Sequence, residues 1–350
     1  MNPTEKSANP RPSAVIVRAD HIGDLVLTTP MIRALAKAGW DVDVVAPPIV
    51  KLLEGNPHVR SLYDLRAICP DWPAGWGCLA AFLRRRKYKA VLLPFARPLP
   101  LLYASALSGA RHRIAMWAGI AGRLTGHTCV RSGFHDEARP YAQTILRALG
   151  PLRIPDDGIR PELFPTQQEI HDAHAALDAH LLPGVRVAIH PLCLGNTCNL
   201  PPAEYATLAR RILAETNWSI AITGAQGDDD ALSKAGFPQG TDGRLWMCCG
   251  MFDLRGLAAL FTSLDVVVVP STGPLHIAHA VGAKTLTPFC PQIPVCGRIW
   301  GHESLGDSVI EPVHPPCDPT GLHGPHCDFK GRLTADDLFA RLARQISRLK

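Results

Sequence analysis

One stretch near the start of the chain carries a carboxylate where it could serve as a general base. The apolar run Ala14–Val17 is followed by Arg18-Ala19-Asp20-His21-Ile22-Gly23-Asp24, so these polar residues come directly after a short strand. At such a place Asp24 could take the proton from a hydroxyl group as its oxygen attacks an electrophilic carbon. Asp24 could equally cap the helix that follows, and Asp20 is a rival for either role.

A second stretch could bind an anion. The short apolar run Leu264–Val269 leads into Ser271-Thr272-Gly273-Pro274, and Leu275–Val281 carries apolar residues at helical spacing. The N-terminus of such a helix directs several free N–H groups and the positive end of the helix dipole at one point, where a diphosphate would be stabilised. The proline suits the first turn of the helix. An ordinary strand–helix turn with a capping hydroxyl would have the same pattern.

Three further features could contribute to the same crevice. The acidic stretch Gly224–Asp230 follows the run Trp218–Thr223, and acidic side chains after a strand often bind ribose hydroxyls. A plain loop with a helix N-cap fits that stretch equally well. His276 could hydrogen-bond a phosphate oxygen or lie buried in the core, and His190 is open to the same two interpretations.

Alternating strand and helix patterns predict how these residues are positioned. Such alternation is typical of an α/β fold with parallel doubly wound sheets, whose ligands bind at the carboxyl ends of the strands. Pro30 should either kink a helix predicted over Leu25–Lys37 or mark its true first turn. The other predicted strands are Val42–Ala46, Ala90–Pro94 and Val185–His190, and the other predicted helices are Leu79–Arg86, Glu169–His180, Glu204–Leu213 and Leu254–Phe261.

The second half of the chain repeats the pattern of the first, which predicts two Rossmann-like domains facing a central cleft. Gly150–Pro165 is rich in proline and aspartate and fits a linker between them. We therefore expect a disordered leader over 1–13, one domain over 14–160, a second over 161–334, and a C-terminal helix over 335–350 that packs back on the body.

The composition fits a globular protein of the cytosol. The 350 residues are 47% hydrophobic and 19% charged, which allows substantial cores. A net charge of +5 favours anionic small molecules or a lipid surface, and no aromatic-studded basic stripe indicates nucleic acid. The eleven cysteines are scattered without a signal peptide, so we expect reduced thiols. No run approaches the roughly 20 apolar residues that span a bilayer.

Two smaller clusters have open interpretations. The run Arg84–Lys87 ends a predicted helix, where cations are favoured by the dipole, although a membrane-surface role is the alternative. The ligand types of a C-terminal cluster suit zinc, but their spacing matches no standard finger. Its members are His314, Cys317, His323, His326 and Cys327.

The residues from Arg18 to Pro30 resemble the opening motif of glycosyltransferase family 9, the ADP-heptose:lipopolysaccharide heptosyltransferases. Ser271 to Ala278 resembles a second motif of that family, which usually has aspartate in place of Ser271. Arg85–Leu93, the His190-Pro191 pair and Thr223–Asp228 are similar to the family as well. The resemblance covers the chain from Ala14 to about Leu338.

This resemblance implies a GT-B type fold and an inverting transfer of a heptose-like sugar from an ADP-heptose-like donor to a lipopolysaccharide core or another envelope glycan. The N-terminal domain would bind the acceptor and the C-terminal domain the nucleotide sugar. Peripheral contact with the inner face of the inner membrane is expected, whereas no metal, cofactor or nucleic acid is. The implied catalytic base is Asp24, the implied acceptor-binding residues are Asp20, His21 and Arg97, and the implied donor-binding residues are Thr197, Asn199, Gly224, Asp228, Ser271, Thr272, Gly273, Pro274, Leu275 and His276.

The sequence departs from the family at positions that meet the donor. Cys198 stands where the family usually has lysine or arginine, and Leu200 stands at its tryptophan position. Losing one charge-assisted phosphate contact costs roughly 1.5–3 kcal/mol of binding. Thr197, Asn199 or Arg298 could compensate for that loss.

Three functional hypotheses follow. The first is a glycosyltransferase of envelope polysaccharide or lipopolysaccharide assembly. The second is a catalytically weakened relative that binds a nucleotide sugar or glycan without efficient turnover. The third is a Rossmann-like oxidoreductase, which is disfavoured because neither half shows GxGxxG after its first strand.

Overall fold

The structure, a computed structural model, describes residues 11–131, 139–193, 199–239, 242–290, 295–301, 329 and 333–349, and the backbone of 307–310. Each half of the chain contributes one parallel sheet of six strands within these described ranges. The sheets belong to two α/β domains, so the predicted fold class is confirmed. No helix in these ranges is both long enough and apolar enough to cross a membrane.

The first domain is built on short apolar runs, each of which pairs in parallel with its neighbours. Its strands are β1 (Ser13–Val17), β2 (Asp41–Ala46), β3 (Ser61–Asp64), β4 (Ala90–Leu93), β5 (His112–Met116) and β6 (Thr128–Val130). Their order in the sheet is β3-β2-β1-β4-β5-β6. The helices are α1 (Ile22–Val26), α2 (Thr29–Lys37), α3 (Leu65–Ile68), α4 (Gly77–Arg86), α5 (Pro100–Ala106), α6 (Gly119–Leu124) and α7 (Tyr141–Leu146), with 3₁₀ helices at Pro48–Leu53 and Arg147–Leu152.

The second domain repeats this topology. Its strands are β7 (Arg186–Ile189), β8 (Ser219–Ile222), β9 (Leu245–Met247), β10 (Val266–Val268), β11 (Thr285–Pro288) and β12 (Asp307–Ile310). Their order is β12-β11-β10-β7-β8-β9, the same doubly wound arrangement counted from the first strand of the domain. The helices are α8 (Gln167–His180), α9 (Pro202–Glu215), α10 (Asp229–Lys234), α11 (Leu254–Thr262), α12 (Gly273–Ala280), α13 (Gly297–Trp300) and α14 (Ala335–Ser347).

The helix predicted over Leu25–Lys37 is two helices, α1 and α2. Pro30 lies in the first turn of α2, where its missing N–H breaks no hydrogen bond, so the second of the two expectations is correct. Thr28, between the helices, is fully buried and donates its hydroxyl to the carbonyl of Asp24. Leu27 and Thr28 separate the two helices, which leaves α1 as a short helix directly after β1.

Alternate residues of β1 face two different cores, as the period of a strand requires. Val15 and Val17 pack with α4, α5 and α6 on the outer face of the sheet. Ala14 and Ile16 pack with α1 and α2 in a cluster that continues into α11 and α12 of the second domain. A continuous apolar core therefore joins the two domains.

The connecting segment is fastened to the first domain by Arg33 of α2. Its guanidinium binds the carboxylates of Asp157 and Glu162 and also the carbonyl oxygens of Gly158 and Arg160. Arg255 of α11 also links the two domains, because it donates to the carbonyl of Glu54 in the first domain and pairs with the carboxylate of Glu169 in α8. The C-terminal helix α14 packs on α9 and on β11, where Gln345 donates to the carbonyl of Thr285.

Candidate functional site

Both sheets have their topological switch point at the centre, between β1 and β4 in one domain and between β7 and β10 in the other. Chains leaving two neighbouring strands in opposite directions open a crevice at the carboxyl ends, which is where ligands of doubly wound sheets bind. The stretch Arg18–Asp24 leaves β1, and Ser271–His276 leaves β10. The fold therefore puts both candidate motifs at a switch point.

The two motifs touch each other across the domain interface. A Cβ atom added to Gly23 would lie 2.5 Å from Cδ2 of His276, and one added to Gly273 would lie 3.0 Å from Cβ of Ile22. Only glycine permits so close an approach of α1 and α12. Sequence patterns placed these residues on separate turns, and the structure brings them together.

Arg18 organises the acidic side of this contact. It is 1% exposed, and its Nε and Nη2 donate to the two carboxylate oxygens of Asp20 at 2.9 and 2.7 Å. The same Nη2 lies 3.0 Å from Oδ1 of Asp24 and 3.0 Å from the hydroxyl of Tyr141. Nη1 of Arg18 is buried without a partner in the described residues. The sequence motif contained this arginine, but the analysis of the sequence gave it no role.

Asp24 does not cap its helix. The N-cap position of α1 belongs to His21, whose side chain makes no capping hydrogen bond, and Asp24 lies within the first turn. Its side chain is 17% exposed, so one face of the carboxylate contacts Arg18 while the group still reaches solvent. The capping alternative for this residue is therefore wrong, and the carboxylate is positioned by the arginine.

Asp20 has a raised pKa for a carboxyl group. Burial raises the pKa of Asp20 to about 6, outweighing the lowering effect of Arg18, and the charge of Asp24 acts in the same direction as burial. The neighbouring tyrosine and the two carboxylates raise the pKa of Arg18 although burial opposes them. Arg18 therefore stays charged, and Asp20 takes up a proton near pH 6, close to Asp24.

An aromatic row lies beside these residues and spans the interface. Tyr141 of α7 stacks on Trp300 of the second domain with ring centroids 4.7 Å apart and planes at 24°. Trp117 lies 5.9 Å from Tyr141, and Phe95 lies 5.9 Å from Trp117. His276 lies 6.1 Å from Trp300. The sequence analysis missed this row because its members come from separate elements with no shared local pattern.

The N-terminus of α12 offers fewer main-chain donors than the sequence predicted. The N–H of Thr272 donates to the carbonyl of Pro270, and that of Leu275 donates to the carbonyl of Thr272. Pro274 has no N–H. Within the described part of the chain, Gly273 is left as the first-turn residue whose N–H lacks a backbone acceptor. The expectation of several free N–H groups is therefore wrong.

Side chains supply further polar groups at the N-terminus of α12. The hydroxyl of Thr272 and Nδ1 of His276 are both buried and have no hydrogen-bond partner among the described residues. Burial, with a smaller effect of His279, lowers the pKa of His276 to about 3. The imidazole is therefore neutral and could donate a hydrogen bond without carrying charge. Ser271 is 7% exposed, and Gly273 and Pro274 are half-buried at the surface of the crevice.

The other donor-side candidates have mixed environments. Asn199 donates to the carbonyl of Pro191 and accepts from the hydroxyl of Tyr205, so its amide supports the fold. Oδ2 of Asp228 accepts from the N–H of Ala225 and closes the turn after β8. Gly224 is packed against that carboxylate, since a Cβ there would lie 2.9 Å from Oδ2.

Other candidates lie on the rim or outside the described residues. His21 and Arg97 are exposed after the carboxyl ends of β1 and β4. His190 contacts the hydroxyl of Thr223 through Nδ1 at 2.9 Å, and burial lowers the pKa of His190 to about 4. Thr197, Cys198 and the candidate zinc cluster at 314–327 lie outside the described residues. Among the residues described, no group of three or more metal-ligating side chains is placed to hold an ion.

Two facing doubly wound domains with their switch points turned to a shared cleft define the GT-B class of glycosyltransferase folds. The model of glycosyltransferase family 9 (heptosyltransferase) matches residues 153–315, a little under half of the chain. That match confirms the resemblance to family 9 and identifies the chain as a glycosyltransferase. The opening motif at Arg18–Pro30 lies outside the matched residues.

Solved structures share the fold over nearly the whole chain. The family 9 glycosyltransferase from Veillonella parvula DSM 2008 superposes with a TM-score of 0.80 at 15% identity, covering 96% of this chain and 98% of that one. For the E. coli ADP-heptose lps heptosyltransferase II the TM-score is 0.73 at 16% identity, with 96% and 99% covered. E. coli heptosyltransferase WaaC with ADP has a TM-score of 0.68 at 15% identity, with 95% and 99% covered. No curated protein matches the chain in sequence.

Proposed function

We propose that this chain transfers a sugar from a nucleotide diphosphate donor to a glycan hydroxyl with inversion at the anomeric carbon. The observation that carries the proposal is the contact between α1 and α12, at Gly23 and His276, from opposite domains. One of these helices bears a carboxylate in its first turn, and the other begins with polar groups that have no partner among the described residues. Glycosyl transfer needs an acid–base group beside an anion-binding site, and Asp24 and the N-terminus of α12 could supply the two.

In the proposed step the acceptor oxygen attacks the anomeric carbon while Asp24 takes the proton from the hydroxyl. The bond from that carbon to the diphosphate breaks, and its electron pair leaves with the diphosphate. The carbon passes through an oxocarbenium-like state whose positive charge the nearby carboxylate favours. The hydroxyl becomes more acidic as it attacks, which eases the transfer of its proton to a carboxylate.

The leaving group gains negative charge, and groups at the start of α12 are arranged to meet it. Gly273 contributes a main-chain N–H and the positive end of the helix dipole. The hydroxyl of Thr272 and the neutral imidazole of His276 are buried polar groups with no described partner, and a phosphate oxygen would satisfy both. Donors fixed before the reaction stabilise developing charge without reorganising.

Arg18 acts in this scheme as a positioning residue. Its guanidinium is fully enclosed and contacts Asp20, Asp24 and Tyr141 through fixed geometry. Tyr141 in turn stacks on Trp300, so the orientation of the proposed base is coupled to the packing between the domains. Asp20 accepts hydrogen bonds from Nε and Nη2 of Arg18. Together with His21 and Arg97 it would bind the acceptor.

The proposed donor is a heptose-like sugar on ADP, and the proposed acceptor is the core of a lipopolysaccharide or another envelope glycan. The family model is named for heptosyltransferases, and structurally similar proteins are titled as ADP-heptose heptosyltransferase and as WaaC with ADP. On the donor side we assign the ribose to the turn at Gly224 and Asp228, and the diphosphate to Ser271–His276. We place the reaction in the cytoplasm, at the inner face of the membrane where such glycans are built.

The test combines a binding screen with a turnover assay. ADP, UDP and GDP sugars are compared by thermal shift, because a ligand that binds only the folded state raises the melting temperature. Transfer is followed as release of nucleoside diphosphate. Asp24→Asn should bind the donor as the wild type does but lose about 10²–10⁴-fold in turnover. The matched control is Asp156→Asn, which changes an exposed carboxylate outside the cleft.

A second candidate, binding of a nucleotide sugar without efficient turnover, is favoured by the departures at Ser271 and Cys198. It predicts a thermal shift with donor but no diphosphate release above that of Asp24→Asn. Absence of a shift with every nucleotide sugar would contradict both candidates.

A further inference from the structure

The positive charge of this protein is concentrated in one stretch. Residues 72–131 contain ten lysines and arginines and no aspartate or glutamate, whereas the whole chain has 36 basic and 31 acidic residues. The remainder of the chain is therefore acidic on balance, although the net charge of the whole is only +5. A segment of this length without any acidic residue calls for a physical explanation.

This stretch forms one outer layer of the first domain. It contains α4, α5 and α6, whose buried residues share a single core with one face of the sheet. The connections from β3 to β6 all run in the same direction across the sheet, so right-handed crossovers put these helices on the same face. The opposite face of the sheet packs toward α1, α2 and the second domain. We call α4, α5 and α6 with their connecting turns the outer layer.

The outer layer exposes apolar side chains to an unusual degree. Seven large hydrophobic side chains are exposed in the described part of the chain, and five of them lie on α5, α6 or their ends. Spacing by four residues puts them in two stripes on the outward sides of the helices. They are Leu99, Tyr103 and Leu107 in one stripe, and Ile120 and Leu124 in the other, the last two 76% and 83% exposed.

The first stripe also borders an open apolar groove. Trp76 at the start of α4 lies 5.7 Å from the ring of Tyr103, and these two residues line the groove with Ala106 and Leu107. Its volume is about 370 Å³. Contiguous apolar surface of this kind marks a place where another apolar phase or molecule makes contact.

Exposed arginines lie on the outward side of the same layer. Arg84 and Arg85 of α4, Arg111 after α5 and Arg123 of α6 are exposed. None of these four makes an ion pair with an acidic residue in the part of the chain that the structure describes. Apolar stripes interleaved with unpaired cations are the composition of surfaces that lie in the interface of an anionic bilayer.

We propose that the outer layer of the first domain docks on an anionic lipid bilayer, with the stripes of α5 and α6 in the headgroup region and the arginines on lipid phosphates. A second copy of the chain would bring the same cations face to face in a symmetric dimer, which is unfavourable. A bilayer accommodates both the charge and the apolar stripes. The docking surface rests on the membrane placement in the proposed function, but it does not depend on the sugar-transfer chemistry.

The orientation of the layer has a consequence for the cleft. Leu99 and Ile120 precede or begin helices that follow β4 and β5, so they lie at the carboxyl edge of the sheet, which is the edge that carries Asp24. A bilayer under the outer layer would therefore approach the acceptor side of the cleft. On the proposed function, a lipid-anchored acceptor could reach the base without leaving the membrane.

Vesicle flotation of the full chain tests the docking. Phosphatidylcholine vesicles with phosphatidylglycerol at about 3:1 should bind the protein, and pure phosphatidylcholine vesicles should bind it weakly. High salt should weaken binding to the anionic vesicles. Arg84→Ser with Arg85→Ser should lower the partition coefficient about 25-fold, since one cation near the surface is worth roughly fivefold. Ile120→Ser with Leu124→Ser should lower it at least about tenfold.

Matched controls lie on the second domain. Leu182→Ser with Met251→Ser removes two exposed hydrophobic side chains there and should leave binding unchanged, as should Lys234→Ser, which removes an exposed cation. Wild-type protein that ignores anionic vesicles, or outer-layer variants that bind as the wild type does, would overturn the proposal. So would a dimer in vesicle-free solution that Ile120→Ser with Leu124→Ser dissociates.

The vesicle assay contains neither donor nor acceptor, so its failure would remove the proposed placement at the membrane and leave the proposed sugar transfer untouched. Conversely, the outer-layer variants should retain full turnover on a water-soluble acceptor fragment. If turnover fails in every protein while vesicle binding follows the expected pattern, the proposed function is wrong and the docking surface stands.

Discussion

Substitution of Gly23 by alanine tests whether the two motifs meet as the structure has them. The new Cβ would lie 2.5 Å from Cδ2 and 3.1 Å from Nε2 of His276, whereas ordinary contacts begin at about 3.4 Å. The imidazole is 4% exposed and packs near Trp300 and His279, so it has little room to turn away. Relief of the overlap requires α1 and α12 to separate by about 1 Å.

Two opposing effects set the size of the change in stability. Overpacking of a close contact costs about 1–3 kcal/mol. Alanine is the better helix former, and because Gly23 lies within α1 at an ordinary helical φ, this contributes up to about 1 kcal/mol in the other direction. We expect the free energy of unfolding of Gly23→Ala to fall by about 1–2 kcal/mol. If the N-terminus of α12 moves about 1 Å away from Asp24, turnover should fall about 10²-fold.

Urea denaturation and diphosphate release measure the two effects. The control is Gly77→Ala at the start of α4, where a Cβ meets nothing within 4 Å and stability should stay the same or rise. The pair Gly23→Ala with His276→Ala removes the overlap, so the double-mutant cycle should show a favourable coupling of about 1 kcal/mol or more. A Gly23→Ala variant as stable and as active as the wild type would show that the two motifs do not meet in this way.

Three other substitutions test separate parts of the structure. Arg18→Met leaves the carboxylates of Asp20 and Asp24 without their buried cation and should lower the free energy of unfolding by about 3–5 kcal/mol in urea titrations, with a wild-type value refuting the ion-pair assignment. Burial lowers the pKa of His127 to about 4, so the unfolded chain gains a proton first, and stability should fall as pH drops from about 6.5 toward 4. His127→Gln should flatten that dependence, and an unchanged slope would contradict a buried neutral ring. Arg255→Ala removes the donor to the carbonyl of Glu54 across the domain interface and should cost about 1.5–3 kcal/mol, measured by thermal and urea unfolding; an unchanged midpoint would rule out a structural role for this bridge.

Central strands were predictable from sequence because they are buried on both faces. The runs at β1, β7 and β10 are apolar and β-branched, and each is followed by a turn with glycine, proline or a polar residue. β3 was not predicted, because it lies at the sheet edge and all four of its residues are half-buried, which leaves no apolar run. β11 is fully buried but contains two threonines and a proline, so its sequence resembles a loop.

Some parts of the site could be predicted from local sequence motifs, and others depend on the tertiary fold. The position of Asp24 after β1 and the start of α12 near Gly273 follow from short motifs, and both could be located in the sequence. The interaction of Arg18 with Asp24 depends on how the chain folds back after β1. The stacking of Tyr141 on Trp300 joins residues of different domains. The stacking contact arises only when the two domains are assembled.

Two consecutive residues of the connecting segment are hydrogen-bonded to different domains. The N–H of Glu162 donates to the hydroxyl of Thr29 in the first domain, and the N–H of Leu163 donates to the carbonyl of Ala280 at the end of α12. Rotation about the few dihedral angles at this one link would carry α12, and with it the proposed diphosphate site, toward or away from Asp24. Stiffening the link would therefore slow product escape before it altered the bond-making chemistry.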